Sequence, residues 1–78
     1  MDALEALIRD LPEGAERIRR RFWRDPEFRG ICEDYRDSLD AADRFQALQP
    51  DPARVTQYRQ LAAELITEAA EMLKEEGS

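Results

Sequence analysis

The dipeptide Asp-Pro occurs twice, at Asp25-Pro26 and Asp51-Pro52, and no other feature constrains this chain's fold as strongly. An aspartate carboxylate accepts hydrogen bonds from the free N–H groups of a helix's first turn, and proline at the first helical position forfeits no needed donor. Proline also drives the residue before it into the extended conformation that an N-cap adopts. Both dipeptides predict helix starts, and Pro50 reinforces the break before the second.

The apolar residues between and beyond these signals follow helical spacing. From Pro26 to about Leu48 they fall at Phe28, Ile31, Cys32, Tyr35, Leu39, Ala42, Phe45 and Leu48, one stripe at intervals of three and four. From Pro52 to about Glu76 the stripe is Val55, Tyr58, Ala62, Leu65, Ala69 and Met72, flanked by Leu61, Ile66 and Leu73. That face is wider than a two-stranded coiled-coil seam and suits a bundle. Gly77 is placed to stop the last helix.

The first arm keeps the same rhythm through Leu4, Ile8, Leu11, Ala15, Ile18 and Phe22, although Pro12 and Gly14 interrupt it. Asp10 with Glu13 resembles a capping box for a restart. The reading is a single domain over residues 1–78 with helices at about 2–10, 12–24, 26–48 and 52–76. The very short connections favour antiparallel neighbours. The expected fold is therefore all-α, a small antiparallel three-helix bundle with its first arm broken near Pro12. The alternative is a long helical hairpin that dimerises into a bundle.

Size bears on that choice. A chain of 78 residues buries a modest core, and eleven of its apolar residues are alanine. Self-association to complete the core is therefore expected, with or without an unidentified protein partner.

The net charge of −6 arises entirely after Gly30, because seven acids balance seven arginines before it. A negative overall field disfavours nucleic acid and anionic membranes. No apolar run approaches the roughly 20 residues of a membrane span. The lone Cys32 cannot form an internal disulfide, and the opening Met1-Asp2-Ala3-Leu4-Glu5 has no basic, apolar leader pattern. The expected location is the cytoplasm.

Catalytic material is thin. The absence of histidine removes the commonest acid–base group and zinc ligand, and the three glycines form no phosphate loop. Cys32 sits on an apolar stripe and reads as a small buried hydrophobe. Glu33, Asp37 and Asp40, and the Glu64–Glu68–Glu71–Glu75 row, read as solvated helix faces; no Glu-x-x-His accompanies them to make a di-iron site. Asp25 to Arg36 echoes a calcium loop but ends in Arg where the loop needs Glu. No enzyme activity, cofactor or metal is expected.

What stands out is Arg17-Ile18-Arg19-Arg20-Arg21-Phe22-Trp23-Arg24. Arginine and tryptophan are enriched at binding hot spots. Phe22 continues the apolar stripe, and Trp23 lies about 100° around the helix from it. One reading has the arginines neutralised by the Glu64–Glu75 row. The other makes Arg20, Arg21, Trp23 and Arg24 a contact surface for a protein partner, with nucleic-acid binding through the Arg17–Arg24 run as a further alternative.

The segment from Asp25 to Tyr35, Asp-Pro-Glu-Phe-Arg-Gly-Ile-Cys-Glu-Asp-Tyr, resembles one in small bacterial all-helical proteins, followed there by an arm of similar length and a Pro-bearing turn. The resemblance implies a bacterial, cytosolic protein and no mechanism. Sequence thus favours a cytoplasmic helical interaction module: a regulator, adaptor or accessory subunit.

Overall fold

A computed structural model describes residues 1–48 and 50–76. The described residues are almost wholly helical: α1 spans Ala3–Asp10, a 3₁₀ turn Pro12–Gly14, α2 Ala15–Arg24, α3 Pro26–Ala47 and α4 Pro52–Glu76. Gly77 lies outside the described residues.

Both Asp-Pro pairs cap helices. Asp25 is extended (φ −119°, ψ 103°), and its carboxylate accepts from the amides of Glu27 at 3.0 Å and Phe28 at 3.3 Å. Asp51 accepts from the Arg54 amide at 3.2 Å. Asp2 performs the same task for α1 through the Glu5 amide at 2.9 Å.

The restart of the first arm differs from the sequence expectation. Asp10 caps nothing: its carboxylate is taken by Arg9 and by the Tyr35 hydroxyl, and Leu11 precedes the 3₁₀ turn with no side-chain cap. The α-helical pattern resumes at Ala15. Pro12 has no N–H to continue the α1 ladder, so the chain tightens into one 3₁₀ turn, closed by the Gly14 amide on the Leu11 carbonyl at 3.0 Å.

Helices α3 and α4 run antiparallel. The Asp51 amide returns to the Phe45 carbonyl at 3.0 Å, Arg59 reaches Gln46 at 2.7 Å, and the Phe45 and Tyr58 rings stack with centroids 5.7 Å apart. The first arm lies along one flank of this hairpin. Tyr35 donates to Asp10 at 2.6 Å, and Arg29 of α3 donates to the Phe22 carbonyl at 3.3 Å, capping the end of α2. Beneath these contacts Leu7, Ile18, Phe28 and Cys32 are completely buried, with Phe22, Ile31, Tyr35 and Leu73 around them. Buried Ala3, Ala6, Ala62 and Ala69 let helices approach closely where larger side chains would hold them apart.

Leu48, expected on the α3 stripe, is 77% exposed. The helical period carries on to it, but α3 ends at Ala47 and no facing helix remains to cover the position. Buried Ser38 spends its hydroxyl on the Asp34 carbonyl one turn back, and no buried side-chain polar atom among the described residues lacks a partner. No helix among these residues is long and apolar enough to cross a membrane.

Candidate interaction surface

The arginine run occupies α2, and helical geometry deals its side chains to different sides. Ile18 and Phe22, four apart, turn into the core. Arg21 stands on the shoulder that faces the end of α4. Its guanidinium bonds Asp25 at 3.1 Å, the Met72 carbonyl at 2.9 Å and Glu76 at 3.0 Å, and lies 5.4 Å from the centre of the Phe28 ring. One side chain thereby ties the last turn of α4 and the N-cap of α3 to α2. A cation at a helix C-terminus also meets the negative end of the helix dipole. Only 18% of the Arg21 side chain is exposed, and its Nε and Nη1 donors are already committed within the fold.

Asp25 is held below the usual carboxylate range, first by the Phe28 amide and then by Arg21 and the Glu27 amide. Asp10 is lowered too, chiefly by its hydrogen bond from Arg9 and further by Tyr35. Both carboxylates belong to the joints between helices.

The opposite shoulder of α2 points away from α4. Trp23 is 72% exposed, its ring edge-on to buried Phe22 with centroids 5.0 Å apart and planes at 81°. Arg19 and Arg20 are its neighbours one turn back on the same helix, and both are exposed. Arg24 is 64% exposed on its side chain and reaches Glu76 only at 3.6 Å. Arg17, Arg19 and Arg20 form no ion pair among the described residues.

Across the bundle Arg21 and Arg24 meet Glu76, and among the described residues Glu64, Glu68 and Glu71 pair with none of these arginines. Of the four sequence-selected residues, Arg20 and Trp23 are exposed on the side turned away from α4, Arg24 is exposed but reaches across to Glu76 of α4, and Arg21 is turned inward as a tie. Arg19 belongs beside Trp23. Its spacing of four from the indole is the signal that places it there.

No three or more carboxylate or cysteine side chains among the described residues are grouped so as to hold a metal ion. Cys32 is fully buried, and burial first, then Glu33, pushes its thiol up to about 11, which suppresses the thiolate. An exposed indole on a rigid helix, edged by cations, can bury apolar area against a partner and set its charge preference. Compared with protein-family models, curated proteins and solved structures, the chain matches none of them, so the Asp25–Tyr35 resemblance carries no family assignment.

Proposed function

We propose that this protein is a non-enzymatic helical interaction module of the cytoplasm, an antiparallel three-arm bundle that closes within one chain and offers α2 to an acidic protein partner. The observation that supports the reading is Trp23, the chain's one tryptophan, which is left 72% in water while its neighbours Ile18 and Phe22 on the same helix are buried. Its edge contact with Phe22 orients the ring, so little side-chain freedom is lost when a partner covers it. Arg19 and Arg20, one helical turn before it and exposed, add positive charge beside it, and Arg24 follows it in the chain. Arg21 holds α2 to α3 and α4 and keeps the platform rigid.

The test compares immobilised wild-type protein with Trp23→Ala for capture of partners from lysate. Because Trp23 is exposed, the substitution shifts folding stability by no more than about 1 kcal/mol, so any lost capture reports contact and not unfolding. The expected result is an acidic protein retained by the wild type, lost with Trp23→Ala, and shifting the tryptophan emission to the blue on binding. Identical retention by both proteins refutes the anchor. Binding to mixed DNA and RNA that weakens steeply with salt would replace the protein partner with nucleic acid.

A further inference from the structure

The hairpin of α3 and α4 has two flanks, and the first arm covers one. On the other flank an open groove of about 400 Å³ runs between the helices, with Ala41, Tyr58, Leu61 and Leu65 in its walls and Asp34 and Asp37 on its α3 edge. Leu61 is 42% exposed there. The α4 edge is acidic as well: Glu64 follows Leu61 by three residues and Glu68 follows Leu65 by three, which sets both carboxylates on the outer flank of the same wall. Asp37 is paired with Arg36 at 2.9 Å, whereas Asp34, Glu64 and Glu68 form no ion pair among the described residues. One turn before Asp34 stands Gly30, where a Cβ would meet nothing within 4 Å, so no side chain narrows that end. Arg36 is spent on Asp37, and toward the interhelical turn stand Arg44 and Arg54, the latter over the Phe45 ring.

We infer that this groove docks an amphipathic helix of a partner protein whose apolar stripe is flanked by lysine or arginine. The shape is that of a helix-in-groove site, in which residues at intervals of three and four enter an apolar trough. From Asp34 to Ala41 the trough is roughly 10 Å long, about two helical turns, and its far end opens toward Gly30. Acids line both of its edges, so a helix with cations on both sides of its stripe is complementary, and an acidic or neutral one is not. A second copy of this chain is a poor occupant. Its one strongly basic helix, α2, keeps Ile18 and Phe22 in its own core, and two copies each carrying −6 repel. The inference goes beyond the Trp23 surface: it concerns another face and a partner of opposite charge.

The experiment uses the full chain and a synthetic 18-residue helical peptide with leucine on one face and lysine on both flanks. Controls are the same composition in scrambled order and the same pattern with glutamate for lysine. Binding is followed by amide chemical shifts of the isotopically labelled protein. The patterned lysine peptide is expected to move the Ala41, Leu61 and Leu65 amides and to bind more weakly as salt is added. Leu61→Lys should weaken it at least tenfold, while Thr56→Lys, adding the same charge to another face of α4, should not. Equal binding of the scrambled peptide means bulk charge alone and overturns the inference, as does a shift pattern that misses the groove or a Leu61→Lys protein that binds like the wild type. A protein dimer that Leu61→Lys dissociates, seen by light scattering without peptide, gives the groove to a second copy and overturns it too.

Discussion

Where α2 meets α3 and α4, Phe28 is completely buried with the Arg21 guanidinium over its ring, and three helices contribute to the surrounding core. At the interhelical turn the corresponding aromatic, Phe45, is half-buried, stacks flat on Tyr58 and is covered from outside by Arg54, with Leu48 exposed nearby. Both positions are phenylalanines on the same stripe of one helix. The difference is the third arm: α1 begins at Ala3, beside the part of α3 around Leu39 and Asp43, and beyond that point α3 and α4 have only each other. Periodicity therefore identifies which face of a helix is apolar, and the number of neighbours decides how much that face is worth.

The largest expected effect tests this directly. Phe28→Ala removes a fully buried ring and leaves a cavity, costing about 3–5 kcal/mol, most of the stability of a domain this small. Phe45→Ala loses a partly hydrated ring and one stacking contact, about 1 kcal/mol. Urea denaturation of the two variants measures the contrast. Equal losses would break the comparison and show that the turn end is as tightly built as the three-helix end.

Alkaline titration gives the next largest effect and again reads the three-helix core. Burial pushes the Cys32 thiol from its ordinary 9.0 to about 11, with Glu33 adding to it. Burial also pushes the Tyr35 phenol from 10.0 to about 12, aided by its hydrogen bond to the Asp10 carboxylate. Both are acids that keep their protons longer when folded. Above pH 9 the unfolded chain thus binds fewer protons than the folded one, and stability falls as pH rises. The loss begins near 9 through Cys32, is joined near 10 by Tyr35, and reaches about 3 kcal/mol from each group once the folded values are passed. Melting curves from pH 8 to 12 should show this decline. Cys32→Ala should delay its onset by about one pH unit, and an unchanged onset would mean that the thiol is more hydrated than its packing indicates.

Sequence made some of this legible. Capping is local, so Asp25 and Asp51 announce their helices through the residue that follows them. The inward turn of Ile18 and Phe22 and the outward turn of Trp23 follow from helical spacing alone. Asp10 was misread because its partner, Tyr35, is 25 residues away and outcompetes a capping role that local pattern favours. Arg21 could not be told from Arg20 by composition, since what separates them is the position of the α4 terminus. The spacing of four between Arg21 and Asp25 was the available clue. The groove beside Leu61 was hidden for the same reason: sequence marks Leu61 as flanking the stripe, and only the placement of the first arm shows which flank stays open.

The smallest effect concerns Gly30, which lies at the well-packed end yet faces outward. A glycine within a helix either permits a close approach of another element or is an uncompensated defect. The structure answers that: a Cβ there meets nothing within 4 Å, and no glycine among the described residues has positive φ. Glycine in the middle of a helix costs conformational entropy with no compensating contact, so Gly30→Ala should stabilise the protein by about 1 kcal/mol. Chemical denaturation measures the gain, and amide exchange locates it, with stronger protection expected around Gly30 in α3 and little change near Phe45. A loss of stability instead would mean that another surface approaches Gly30 in solution. In the purified protein that surface belongs to a second copy, an outcome that would overturn the partner-helix reading of the groove, and the gain should return when Leu61→Lys separates the copies.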